Sequence, residues 1–167
     1  EAIFQKMNMP PIKIVELANP KIVSMTCMRN WLLPSLMEFL SNNSSVEFPQ
    51  KIFELGKVTL AEERIETRTR DEDWLAAVTS HPQANFSEIK SALDSFMANF
   101  GVEWQIKETL HPSFIEGRVG KVIVAGVEVG VVGEVNPSVL EAWKLENPAA
   151  AFELEFKQIL ENKLSKK

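Results

Sequence analysis

The spacing of apolar residues changes several times along this chain, and that change limits what it can fold into. In residues 85–100, Phe86, Ile89, Leu93, Phe96, Met97 and Phe100 recur every three or four positions. They share one helical face, with Asn85 as a cap and Gly101 as a stop. Leu32, Leu33, Leu36, Met37, Phe39 and Leu40 repeat the pattern. Pro34 fits there if Asn30 caps the helix, because a first-turn residue needs no backbone N–H partner. Elsewhere the residues read as strands: 13–18, 48–60, 74–78, 102–110, 119–135 and 150–156. Ala125-Gly126 turns the valine-rich run 119–135 into a hairpin, and Asn136-Pro137 opens a short helix. Residues 61–73 carry nine charges of both signs and read as a solvated hairpin tip. The order predicts an α+β fold, an antiparallel sheet flanked by helices. Its central strands are expected to include 48–60, 74–80 and 119–135.

Composition narrows the function. The 167 residues are 45% hydrophobic and 25% charged, ordinary for a globular chain, and too apolar for a disordered tail. No apolar run is long enough to span a membrane. A net charge of −5 makes a poor stand-alone binder of nucleic acid. Cys27 is the single cysteine, which excludes an internal disulfide and a multi-cysteine metal site and reads as an inert thiol. The matches to a glycosylation sequon at Asn42, Asn43 and Asn85 read as chance. A reducing, cytoplasmic location is the default expectation. The chain opens at Glu1 in mid-pattern, so it reads as a piece of a longer protein.

The candidates for chemistry do not assemble into a site by spacing. Gly117, Gly120, Gly126, Gly130 and Gly133 lack the spacing of a phosphate loop and sit within strands, where they read as bulges and close approaches. His81 and His111 each precede proline and read as loop residues. Asp71-Glu72-Asp73 lies in the charged tip and reads as solvated. Glu134 stands among valines and needs a partner, for which Arg29, Arg118 and Lys121 are available. Arg29, just before the first long helix, suits either an anionic ligand or loop carbonyls. No catalytic, cofactor-binding or metal-binding residue is assigned.

The order of short blocks adds a family likeness. Asn19-Pro20, followed by Ser24-Met25-Thr26-Cys27-Met28-Arg29-Asn30-Trp31-Leu32-Leu33-Pro34-Ser35-Leu36, resembles a block of phenylalanyl-tRNA synthetase beta chains. Phe48-Pro49-Gln50-Lys51-Ile52-Phe53-Glu54-Leu55-Gly56 resembles the next strand, in its archaeal and eukaryotic wording. Asn85-Phe86-Ser87-Glu88-Ile89-Lys90, His111-Pro112-Ser113-Phe114, Gly117-Arg118, Gly133-Glu134-Val135-Asn136-Pro137-Ser138-Val139-Leu140 and Ala151-Phe152-Glu153-Leu154-Glu155 follow in order. The likeness covers residues 19–156.

The resemblance implies that 1–167 is one catalytic-like domain with a class II synthetase fold. It implies that this module does not catalyse aminoacylation. The alpha chain, its partner in an (αβ)₂ enzyme, binds ATP and phenylalanine, and the whole enzyme also uses magnesium and tRNA. The fragment itself is expected to bind no cofactor. A class II active site needs an arginine in the helix after the late glycine-rich strand, and residues 137–145 contain none. The family often has histidine where Asn136 stands, so no role is carried to that position. The editing domain and the magnesium-associated region would lie upstream. Two alternatives remain: an independent binding module, and a small self-sufficient enzyme using Glu134 with Arg29 or His111. Trp31, Leu32, Leu33, Leu36, Met37, Phe39 and Leu40 form a broader apolar set than one buried helix face needs. Part of it is expected to face either a missing neighbour of the sheet or the alpha chain, the alternative being that all seven residues, Trp31 and Phe39 included, fill the core. Arg29, Trp31, Phe39 and Glu134 are therefore the candidate structural or interface positions.

Overall fold

The computed structural model describes residues 2–17 and 27–165. A short helix, α1 (Ala2–Lys6), precedes α2 (Leu33–Asn42), and then β1 (Gln50–Ala61) and β2 (Thr69–Ser80) form a long hairpin. Next come α3 (Phe86–Phe100), β3 (Trp104–Glu108), β4 (Phe114–Val124) and β5 (Val127–Val135). The chain closes with α4 (Pro137–Ala142), β6 (Ala149–Glu155) and α5 (Phe156–Ser165). The expected α+β class is what forms. One six-stranded sheet runs β1-β2-β6-β5-β4-β3, every neighbour antiparallel. Helix α2 covers one face, with Leu33, Leu36, Met37 and Leu40 packed on Val58, Ala76, Val78 and Ala151. Helices α3 and α5 cover the other, with Ile89, Leu93, Met97 and Ile159 against Val122, Val132, Phe152 and Leu154.

Several expectations change. Residues 48–60 are not central: β1 is an edge strand, and the middle belongs to β2, β6 and β5. Residues 13–17 form no strand, only an isolated bridge from Glu16 to Cys27; Ala18 and Asn19-Pro20 lie outside the described residues. The charged tip is shorter than 61–73, because β2 starts at Thr69 and carries Asp71, Glu72 and Asp73 within a paired ladder. Asn30 does not cap α2; the cap position is Leu32, which has no side-chain oxygen to offer, and Pro34 falls at the first turn as expected. Within β1, Gly56 pairs regularly with Trp74.

The other glycines behave as the strand reading predicts. A Cβ on Gly130 would collide with the Glu153 carbonyl of the neighbouring strand, and one on Gly133 would lie 2.8 Å from the Phe114 ring. Gly126 and Ala125 both have positive φ, which closes the β4–β5 hairpin. Helix α3 has the expected termini: the Asn85 side chain accepts from Glu88 N–H, and Gly101 takes the left-handed conformation at φ 77°.

The broad apolar set of the first long helix divides. Leu32, Leu33, Leu36, Met37 and Leu40 are buried, Trp31 is half-buried, and Phe39 is 52% exposed. A five-residue-deep stripe suffices for the core, and Phe39 falls outside it.

Candidate functional site: two sheet carboxylates, an arginine clasp and an open edge

Four unpaired N–H groups open every helix and must find acceptors. In this fold two of those openings lie against strand carboxylates, one on each face of the sheet. Glu134 of β5 accepts from Phe86 N–H at 2.8 Å, the first residue of α3, and pairs with Arg118 Nη1 at 2.6 Å. Arg118, and neither Arg29 nor Lys121, is therefore its partner. Glu153 of β6 lies beneath the start of α2 and accepts from the N–H groups of Leu32 and Leu33. It takes over the task for which Asn30 stood as candidate. Burial pushes its carboxyl group up to about 7, against those two hydrogen bonds and the more distant Arg29 charge. Sequence reasoning passed over Glu153. The signal was there: a lone acid inside Ala149-Ala150-Ala151-Phe152-Glu153-Leu154, where a strand buried on both faces gives a charge no water.

Arg29 clasps the approach to α2 onto β1. Its Nε donates to the Lys57 carbonyl at 2.9 Å, Nη1 pairs with Glu54 at 2.6 Å, and the guanidinium occupies the space a side chain on Gly56 would need. The Arg29 carbonyl in turn accepts from Thr59 N–H at 2.8 Å. Of the two roles open to it, carbonyl and carboxylate binding within the fold is the one observed. Trp31 stacks on Phe4 with ring centroids 6.3 Å apart.

Arg29 lies on the α2 face and Glu134 on the α3 face, so the sheet separates them. His111 packs edge-on against Phe114 at 5.1 Å, and its Nδ1 accepts from Ser113 N–H at 3.2 Å. Burial lowers its affinity for a proton. The pairing of Glu134 with Arg29 or His111 is thus not assembled. His81 is tied to Glu88 at 2.6 Å, and Glu88 to Lys51 at 2.8 Å. The Lys51 bond first, then His81, holds the Glu88 carboxyl below its usual range despite desolvation. This chain of contacts fastens the start of α3 to the start of β1.

The acidic run of β2 does not converge either. Asp71 accepts from Thr59 Oγ1 at 2.7 Å and Asp73 faces Lys57 at 3.4 Å. Buried Glu72 takes Arg70 at 2.7 Å and the Trp74 indole N–H at 3.0 Å. Among the described residues no group of three or more His, Cys, Asp or Glu is placed to hold a metal.

Where β5 passes into α4, the helix opening is closed by its own side chains. Asn136 Oδ1 accepts from Ser138 N–H at 3.0 Å and from Ser138 Oγ at 2.7 Å, and Asn8 donates to Ser138 Oγ at 2.6 Å. One edge of the sheet, β1, carries exposed apolar side chains. On β1, Phe53 is 76% and Leu55 55% exposed, on the face they share with Ala77 of β2. A groove of about 450 Å³ runs between Phe53 and α3, lined by Ala77, Ile89 and Ala92.

Among the described residues no helix is long and apolar enough to cross a membrane. The family model described as "Phenylalanyl tRNA synthetase beta chain CLM domain" matches residues 1–156. A phenylalanine–tRNA ligase beta subunit of Pyrococcus abyssi is 53% identical over 154 residues, covering 92% of this chain and 28% of that protein. One of Thermococcus onnurineus is 48% identical over 167 residues, covering 92% of the chain and 29% of its length. One of Methanocella arvoryzae is 40% identical over 158 residues, covering 93% and 29%. The chain spans under a third of these relatives. With that family model matched over residues 1–156, the chain belongs to the phenylalanyl-tRNA synthetase beta chain family and corresponds to its CLM domain.

Proposed function

We propose that this module serves phenylalanyl-tRNA synthesis by docking and not by catalysis. It is a class II synthetase-like body that pairs with the alpha chain in a cytoplasmic (αβ)₂ ligase. ATP and phenylalanine are handled by the partner, magnesium is used by the whole enzyme, and tRNA is a substrate of the whole assembly. The observation that carries this reading is the open edge of β1, where Phe53 and Leu55 present apolar side chains to solvent. An edge of that kind is normally covered in a working assembly. The closed opening of α4 supports the non-catalytic half of the reading. The helix that follows the glycine-rich strand has its first-turn N–H groups taken by the side chain and carbonyl of Asn136, and it carries no arginine. The self-sufficient enzyme is disfavoured because the Glu134 oxygens are engaged by Phe86 and Arg118.

Co-expression of the full-length beta subunit with its alpha subunit tests the docking. Replacing Phe53 and Leu55 together by glutamate should leave the beta subunit folded and cut recovery of the complex. Unchanged recovery would remove the edge from the interface. Pyrophosphate exchange with ATP and phenylalanine tests catalysis: the 167-residue chain should show none, and turnover above a buffer blank would overturn the reading.

A further inference from the structure

A second cavity lies on the α2 face of the sheet, opposite the face that carries Phe53. This cleft has a volume of about 320 Å³. Val131 and Glu153 line it from the sheet, and Trp31, Trp74, Phe4 and Asn30 are among the rest of its lining. Two polar groups in its lining have no side-chain partner among the described residues. Glu153 is 3% exposed and has no ion-pair partner among the described residues. Arg29, the nearest cation to act on it, spends its guanidinium on Glu54 and the Lys57 carbonyl. Asn30 is 9% exposed, and its amide makes no hydrogen bond among the described residues. The hydrogen bonds that Glu153 does accept come from the backbone N–H groups of Leu32 and Leu33, which leave its charge without a cation.

The lining states the chemistry of what would satisfy them. A buried carboxylate is best matched by a cationic N–H donor. Aromatic faces attract both a cation and a flat ring. An amide adds one acceptor and two donors beside the charge. The volume is at the lower end of small-molecule sites and suits a body of one ring. A carboxylate on the same ligand would meet Glu153 as a like charge. We propose that this cleft binds a small, flat aromatic amine or amidine cation, its charged end at Glu153 and Asn30 and its ring against Trp31 and Trp74. The site stands on the side chains of this chain alone and does not depend on the docking reading.

The test is a titration of the 167-residue chain, labelled with nitrogen-15, with phenethylamine and with benzamidine at pH 8. The indole signals of Trp31 and Trp74, identified by Trp31→Phe and Trp74→Phe, should move and saturate below roughly 10 mM, an affinity suited to so small a ligand. Phenylalanine and benzoate should leave those signals in place. Glu153→Gln keeps an acceptor for Leu32 and Leu33, so it should fold, and it should weaken amine binding by about tenfold or more. Asn30→Ala, which leaves the carboxylate intact, should weaken it by about threefold or more. No saturation by either amine would overturn the proposal. So would equal response to phenylalanine or benzoate, or a folded Glu153→Gln chain that binds as the parent does.

Discussion

The carboxyl groups of Glu153 and Glu134 do the same job on opposite faces, yet they answer pH differently. Glu153 is fully enclosed, and its pKa rises from the ordinary 4.5 to about 7. Between those values the folded chain holds a proton that the unfolded chain has lost. Stability therefore falls as pH rises across that window, by on the order of 3 kcal/mol at most, and the loss is complete above about pH 7. Glu155, also raised by burial, adds to this slope. His111 opposes it, because its lowered pKa favours the folded chain as pH rises, whereas Glu88, lowered from 4.5, acts below this window. The parent's own pH curve is the sum, so the informative measurement is the difference from Glu153→Gln. Urea unfolding at pH 5 and pH 8 should show the variant gaining on the parent by up to about 3 kcal/mol at the higher pH. A difference that does not change with pH would mean Glu153 ionises freely. Glu134, by contrast, has a strong hydrogen bond to Phe86 and a partly exposed arginine. Glu134→Ala should cost about 1–2 kcal/mol through the lost helix-opening acceptor. Arg118→Ala should cost less than about 1 kcal/mol, because Arg118 is 60% exposed. Equal losses would assign the effect to the ion pair instead.

Among the elements, α3 shows what periodicity can and cannot rank. The stripe Phe86, Ile89, Leu93, Phe96, Met97, Phe100 does face the sheet, but only Ile89, Leu93 and Met97 reach the bottom of it. Phe96 sits higher, in an aromatic cluster with Phe100 at 5.6 Å and Phe156 at 6.5 Å, where α3 meets α5. A period of 3.6 finds the face; depth within it depends on where the second helix lands. Leu93→Ala should therefore cost more than Phe96→Ala: about 3–5 kcal/mol for the fully buried leucine, and about 1.5–3 for the half-buried ring. Chemical denaturation of both variants decides it, and the reverse order would place α5 differently. The same limit explains other elements. The hairpins β1–β2 and β4–β5 were legible because their pairing is local and their turns carry charge or glycine. The opening of α2 was not, because its acceptor, Glu153, is remote in sequence. Residue Thr69 onward reads as a tip by charge, yet pairing with β1 continues there, since Arg70 and Glu72 satisfy each other across a strand surface. Of the candidate positions, Arg29 and Glu134 could be read as needing partners, whereas the identity of those partners required the fold.

For the whole molecule, the decisive strand is the last one. The sheet contains two sets built from local pairings, β1–β2 and β3–β4–β5, and nothing but β6 lies between them. Seven register pairs join β6 to β2, from Trp74↔Glu155 to Ser80↔Ala149, and five join it to β5, from Gly130↔Leu154 to Glu134↔Ala150. Its side chains are buried on both faces: Ala149, Ala151 and Glu153 under α2, Ala150, Phe152 and Leu154 under α3 and α5. That strand thus closes both cores at once, and it also supplies the acceptor that opens α2. Hairpins and three-stranded sheets without a packed face are marginal in water. A chain ending at residue 148 should therefore fail to fold as two smaller units. It would bare the inner edges of β2 and β5 together with the apolar faces of α2 and α3. The expected result is loss of the cooperative thermal transition and of dispersed amide signals. Adding a peptide of residues 149–165 should restore both, since the missing contacts are non-covalent. A truncated chain that still melts cooperatively would show that one of the two sets is stable alone, and that β6 adds to the fold without joining it.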